Sequence, residues 1–177
     1  MRSAAAVHPQ HNTHGSKAWL EKGTETFINC NSGRNRLNIN GGYNPKNQDV
    51  IHIDDTTINA QSTIKLFDKI ENKYPLLVTI YVISDNAKYY TCSLIKEYLK
   101  TSRIKLIHLP TYSPNLNLIE RLWKFMRKKV INTTYYPKFK EFKENILSFF
   151  QNIDQYKEEL KTFIGNDFKI KYPKTTF

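Results

Sequence analysis

The stretch from His108 to Trp123, His-Leu-Pro-Thr-Tyr-Ser-Pro-Asn-Leu-Asn-Leu-Ile-Glu-Arg-Leu-Trp, constrains the fold more than any other part of this chain. Ile104 to Leu109 is a short β-rich run that predicts a buried strand, and Pro110, Ser113, Pro114 and Asn115 are loop punctuation. From there Leu116, Ile119, Trp123, Met126 and Val130 recur at three- and four-residue steps, which makes one stripe of a helix facing a core. Glu120, Lys124 and Arg127 fall together on the flank of that stripe. Periodicity alone makes Glu120 and Lys124 an exposed i,i+4 ion pair, worth a few tenths of a kcal/mol.

A chain of 177 residues holds one full core and reads as one domain over residues 1–165, with a tail at 166–177. Its formal net charge of +11 and aromatic content of 13% suit a folded protein that meets polyanions, because Lys and Arg displace counterions from phosphate backbones. Cys30 and Cys92 are isolated thiols without Cys-x-x-Cys spacing, so neither a zinc site nor a disulfide framework is indicated. No stretch approaches the roughly 18 to 20 apolar residues of a membrane span. The N-terminus lacks the apolar region of a signal peptide and meets His8-Pro9 almost at once, so an intracellular, soluble protein is expected.

In chain order, Met1 to Val7 reads as the tail of a strand. His8, His11 and His14 are spaced by three, but Pro9, Asn12 and Gly15 between them argue for an irregular loop rather than a metal site. Lys17 to Asn29 reads as a hairpin-like segment. Leu37 and Ile39 alternate with Asn38 and Asn40 as in a half-buried strand, and Gly41-Gly42 marks a bulge or a close backbone approach. Val50 to Ile53 returns as a strand, and Ile64, Phe67 and Ile70 predict a helix over 59–73 that Pro75 stops. Leu76 to Ser84 reads as a strand buried on both faces, ended by Asp85 and followed by a helix from Ser93 to Lys100. By itself Asp85 reads equally as a turn residue and as a site residue at the carboxyl end of a strand.

Basic residues crowd the next part. Arg121, Lys124, Arg127, Lys128, Lys129, Lys138, Lys140 and Lys143 stand against Glu141 alone between positions 121 and 143, an excess that favours a polyanion-facing surface. A single helix over 138–164 is expected, with Phe139, Phe142, Ile146, Phe149, Phe150 and Ile153 as its core stripe. The order of strands and helices predicts an α/β fold, a mixed sheet flanked by helices.

The run Leu-Pro-x-Tyr-Ser-Pro-x-Leu-Asn-x-Ile-Glu-x-x-Trp, here Leu109 to Trp123, resembles the end of the catalytic domain of mariner-type insertion-sequence transposases, which are DDE superfamily endonucleases. In that family the Glu of the run is the third metal-binding carboxylate, which maps to Glu120 here. The second is an Asp in a strand-ending Asp-Asn, matched by Asp85-Asn86, with 34 residues between Asp85 and Glu120. The resemblance implies a ribonuclease H-like fold, with the first Asp on the first strand, the second after the fourth, and the Glu on a helix after the fifth. It also implies Mg²⁺ or Mn²⁺, DNA as partner in cleavage and strand transfer, a homodimer, and a bacterial cytoplasmic, nucleoid-associated setting. Cleaving a phosphodiester in line develops charge on two oxygens, which two ions roughly 3.5 to 4 Å apart stabilise together, held by hard carboxylate oxygens. Lys124, Arg127, Lys128, Lys88, Arg34 and Arg36 are then the candidate DNA contacts.

One position departs from the family. Relatives carry a segment resembling Asp-Ala/Gly-Val-His-Pro at the end of the first strand, and this chain reads Ala5-Ala6-Val7-His8-Pro9. Ala5 stands where the first Asp is expected, and the helix-turn-helix domains of full-length relatives are not seen. The chain is therefore expected to be an N-terminally truncated catalytic domain that is inactive, or else a non-catalytic DNA-binding or dimerising remnant. Asp54 and Asp55, at the end of a neighbouring strand, are weighed as substitutes, with nothing in the sequence to favour either.

Overall fold

The computed structural model describes residues 2–11, 22–23, 31, 35–110, 116–132 and 134–165. The hairpin-like segment expected over Lys17 to Asn29, together with His14, Cys30, Arg34 and the 166–177 tail, lies largely or wholly outside the described residues.

Five strands form one sheet: β1 (Arg2–Val7), β2 (Asn38–Asn44), β3 (Asp49–Asp55), β4 (Ile80–Ser84) and β5 (Ile104–His108), in the order β3-β2-β1-β4-β5. β1, β2 and β3 pair antiparallel, while β4 joins β1 and β5 joins β4 in parallel. Parallel neighbours need crossovers, and helices supply them. Between β3 and β4 runs α1 (Ala60–Lys73); between β4 and β5 run the short α2 (Lys88–Thr91) and α3 (Ser93–Thr101). After β5 come α4 (Leu118–Met126), α5 (Phe139–Gln151) and α6 (Lys157–Ile164).

Two apolar layers cover the two faces. Ala4, Ile80 and Val82 pack with Leu66, Phe67 and Ile70 of α1, whereas Ala5, Val7 and Ile39 pack with Ile119, Leu122 and Trp123 of α4. The alternation along β1 assigns successive residues to opposite faces, as the pleat requires.

Local signals set the helix ends. Asn59 caps α1: its side chain accepts from the Ser62 amide at 2.9 Å, and the Ser62 hydroxyl accepts from the Asn59 amide at 2.9 Å. Gly41 is the close approach that its sequence position anticipates, because a Cβ there would stand 2.7 Å from Cη2 of Trp123. Gly42 meets Ile70 on the other face.

Three expectations are corrected. The strand expected from Leu76 starts only at Ile80, and Leu76 and Val78 are 94% and 87% exposed. The Arg103 guanidinium donates to the carbonyls of Tyr74, Pro75 and Leu77, which holds this segment as a turn and keeps it out of the sheet. The helix expected through Val130 passes into a π turn at Arg127–Ile131, and Leu116 precedes it, 39% exposed. The single helix over 138–164 breaks at Asn152, whose amide donates to the Ser148 carbonyl before a 3₁₀ turn at Ile153–Tyr156. No described helix is long and apolar enough to cross a membrane.

Candidate active site

The site lies at the carboxyl end of the parallel strands. Ala4 pairs with Ser84 in register, so Ala5 and Asp85, each the next residue along, stand side by side across β1 and β4. Ala5 packs in the α4 layer, and Asp85 follows Ser84 on the strand whose Ile80 and Val82 face the other layer. Both positions therefore project to the side that α4 covers.

Asp85 is exposed. Its Oδ1 accepts from the Ala87 amide at 3.1 Å, the geometry of a turn residue. The turn reading leaves the other carboxylate oxygen without a hydrogen bond or ion pair among the described residues. Around Asp85 the chain is pinned: Asn86 donates to the Leu109 carbonyl at 2.8 Å, the Leu109 amide donates to Ser84 at 2.9 Å, and His108 Nδ1 lies 3.3 Å from the Asp85 carbonyl oxygen.

Glu120 arrives from the first turn of α4. Six apolar residues of that helix, Leu118, Ile119, Leu122, Trp123, Phe125 and Met126, are buried, each contributing on the order of 2 kcal/mol, so the helix seats firmly on the sheet. Asn117 sets its start. That residue is buried, its Nδ2 donates to the Ala4 carbonyl at 3.2 Å, and its own carbonyl accepts from the Glu120 amide at 3.1 Å. One side chain thus ties β1, next to Ala5, to the turn that bears Glu120.

Glu120 forms no ion pair with Lys124 among the described residues, contrary to the simplest reading of the periodicity. Burial raises its pKa above the ordinary 4.5, the Asp85 charge raises it further, and Arg127 and Lys124 oppose the shift. The two carboxylates therefore share one electrostatic environment, flanked by the two cations. Tyr89 is part of it: its hydroxyl pKa is pushed up to about 12, by burial first and then by the charges of Asp85 and Glu120. Tyr90 packs against it with the rings tilted and their centroids 4.8 Å apart, and its buried hydroxyl donates to Asn40 Oδ1 at 3.0 Å. Sequence reasoning missed Asn117, Tyr89 and Tyr90. Asn117 stood within the matched run, and Tyr89 one helical turn after Asp85, which was the available signal.

Lys124, Arg127 and Lys128 are exposed along this flank, and Lys88 is exposed at the start of α2, three residues after Asp85. Arg36 is exposed and bridges Gln10, beyond the carboxyl end of β1. Arg34 lies outside the described residues. Part of the basic run is neutralised: Lys129 pairs with Glu159 and Lys143 with Asp54, acids distant in sequence, and Lys140 pairs with Glu144 one helical turn on.

His8 and His11 serve the fold. His8 Nδ1 meets Asn38 Oδ1 at 2.8 Å, and His11 Nε2 meets the Tyr136 carbonyl at 2.7 Å. Asp54 and Asp55 do not substitute for the first carboxylate. They end β3, which β2 and β1 separate from β4, and they bind Lys143 at 2.8 Å and Lys65 at 2.9 Å.

The chain matches the family described as DDE superfamily endonuclease over residues 6–143, with the match beginning one residue after Ala5. It belongs to that family. The solved structures place its fold with the ribonuclease H-like catalytic domains. A Mos1 mariner paired-end complex with manganese superposes with a TM-score of 0.65 at 16% identity, covering 95% of this chain and 56% of that one. The isolated catalytic domain of Mos1 mariner transposase gives 0.57 at 14% identity, covering 92% and 79%. The HTLV-2 integrase catalytic core in complex with magnesium gives 0.51 at 10% identity, covering 87% and 84%. This DDE domain thus spans little more than half the length of the full Mos1 chain. No curated protein sequence matches it.

The donor set decides how well this member suits the family's metal chemistry. Asp85 and Glu120 offer the hard oxygens that Mg²⁺ and Mn²⁺ prefer. At the position where the resemblance leads one to expect the first carboxylate stands the methyl group of Ala5, and among the described residues no three His, Cys, Asp or Glu converge. Two carboxylates without a bridging third do not complete a two-ion site.

Proposed function

We propose that the chain is the catalytic domain of a mariner-type transposase whose architecture serves metal-dependent cleavage and transfer of DNA strands, and that Ala5 leaves it without activity. Asp85 and Glu120 are, in this reading, the second and third carboxylates. Asn117 and the Trp123 anchor hold α4 so that Glu120 meets Asp85, while Lys124, Arg127, Lys128, Lys88, Arg34 and Arg36 hold the DNA backbone. The observation that carries the reading is the register of Ala4 with Ser84, which sets Ala5 beside Asp85 on the face of α4. A missing bridging ligand weakens metal binding and misplaces the nucleophile, and a misplacement of about 1 Å costs about 10²-fold in rate. The named complexes of Mos1 with Mn and with Mg support the metal class, and its complexes with transposon ends support DNA as the partner.

Supercoiled plasmid with Mg²⁺ or Mn²⁺ tests this directly. The unaltered chain is expected to leave it intact and the Ala5→Asp variant to nick it. Robust nicking by the unaltered chain would sink the inactivity claim.

A second reading is a DNA-binding or dimerising remnant in the same cytoplasmic setting. It is favoured by the exposed cations Lys124, Arg127 and Lys128, none of which forms an ion pair among the described residues. Phosphate-driven binding weakens steeply between low and moderate salt with or without metal. Absence of binding at low salt removes this reading.

A further inference from the structure

The opposite pole of the sheet, where β1 and β4 begin, holds a cation that the candidate active site does not use. Arg2 opens β1 and is only 7% exposed. Its guanidinium carbon lies 3.8 Å from the centroid of the Tyr74 ring, and its Nε is buried without a hydrogen-bond partner. No described carboxylate forms an ion pair with it. A guanidinium does not lose its proton inside a protein, so this charge stays, and a desolvated charge without a counter-ion is costly. An anion supplied from outside removes that cost.

There is room for one. Arg2 lines a cleft of about 520 Å³ together with Asn44, Lys46, Asn47, Tyr74 and Thr79. Lys46 is exposed at its rim and adds a second positive charge. Asp49 lines a smaller void that Arg2 shares and is already engaged, its Oδ2 accepting from the Tyr74 hydroxyl at 2.9 Å and from the Asn47 side-chain amide at 2.5 Å. Arg2 pairs with Val82, three residues before Asp85, and stacks on the residue that ends α1, so the cleft lies on the face away from α4.

We propose that this cleft is a phosphate-binding site, with Arg2 as its principal donor and Lys46 as its rim charge. Two cations with the Thr79 hydroxyl beside them suit a group that carries more than one charge, and a planar guanidinium suits phosphate oxygens. The phosphate comes either from the free ion or from a nucleic-acid backbone. The site is independent of the catalytic reading, because none of its residues touches Asp85 or Glu120.

Calorimetric titration of the full chain with inorganic phosphate at fixed ionic strength, with chloride as control, tests it. Saturable binding specific to phosphate is expected. Arg2→Met is expected to abolish that binding and, by removing an unpaired buried charge, to raise the melting temperature in phosphate-free buffer. Lys46→Gln, an exposed change that leaves the fold intact, is expected to weaken phosphate about tenfold, or about 1.4 kcal/mol. Displacement of bound phosphate by a short oligodeoxynucleotide without terminal phosphates assigns the site to a nucleic-acid backbone; failure to displace it assigns the site to the free ion. Phosphate affinity unchanged in Lys46→Gln, retained in Arg2→Met, or matched by chloride overturns the proposal.

Discussion

Gly41 and Trp123 hold the helix that carries Glu120 against the sheet, and their contact has a predictable cost. A Cβ added at Gly41 stands 2.7 Å from Cη2 and 3.1 Å from Cζ2 of Trp123, and 3.3 Å from the Ile51 carbonyl oxygen. Carbon atoms prefer roughly 3.5 to 4.0 Å, so the indole must retreat by about 1 Å. It has little space to do so: Trp123 is 2% exposed and meets the Phe150 ring edge-on at 5.9 Å between centroids. Gly41→Ala should therefore destabilise the chain by about 1–3 kcal/mol, the usual cost of overpacking. For a chain of this size that lowers the melting temperature by about 3–10 °C. Trp123→Phe deletes both clashing atoms, and the Nε1 donor it removes has no partner to lose. Alone it opens a cavity and costs about 1–3 kcal/mol. In Gly41→Ala/Trp123→Phe the added methyl group enters that cavity, so the double variant should be at least about 1 kcal/mol more stable than the sum of the singles. Denaturant unfolding of the four proteins measures the cycle. A neutral Gly41→Ala, or strict additivity, refutes the close packing of α4 on β2.

Arg103 should matter to the fold well away from the site. Its guanidinium donates to the carbonyls of Tyr74, Pro75 and Leu77 at 2.8–3.1 Å and to that of Glu71 at 2.8 Å. Arg103→Lys cannot reproduce the fork and should cost about 2–3 kcal/mol, with faster amide exchange at the end of α1; a neutral substitution contradicts the clamp. Glu120 gives a pH signature of defined sign. Because its folded-state pKa is raised, its stabilising contribution is complete below 4.5 and is lost as pH rises from there through the folded value. Glu120→Gln should remove that dependence and add less than about 1 kcal/mol at pH 7, a figure discounted for partial exposure, so unchanged pH profiles would count against a half-buried Glu120. At the DNA surface, neutralising Lys124, Arg127 and Lys128 together should reduce the slope of log affinity against log salt by about 3, without regard to sequence. A slope that stays the same places the DNA elsewhere.

The sequence points to a candidate site through local patterns: Asp85 and Glu120 stand out because a strand-ending Asp-Asn and a proline-bounded loop feeding a helix can be read without the fold. The core stripe Ile119, Trp123, Met126 and Val130 followed from a 3.6-residue period. What failed depended on partners remote in sequence. Leu76 to Val78 looked like strand because nothing local reveals that Arg103 captures the neighbouring carbonyls. Lys129 and Lys143 looked free because Glu159 and Asp54 come to them only through the packing of α6 and β3. The break at Asn152 was hidden by an apolar period that continues through it.

The central claim is that Asp85 and Glu120 are two parts of a metal site whose first ligand position is occupied by Ala5. Calorimetric titration of Mn²⁺ into the unaltered chain, Ala5→Asp, and Ala5→Asp/Glu120→Gln tests it most directly. Ala5→Asp should bind Mn²⁺ at least about tenfold more tightly than the unaltered chain, a gain of about 1.4 kcal/mol, and Glu120→Gln should remove that gain. Equal Mn²⁺ affinity in all three proteins would contradict the claim.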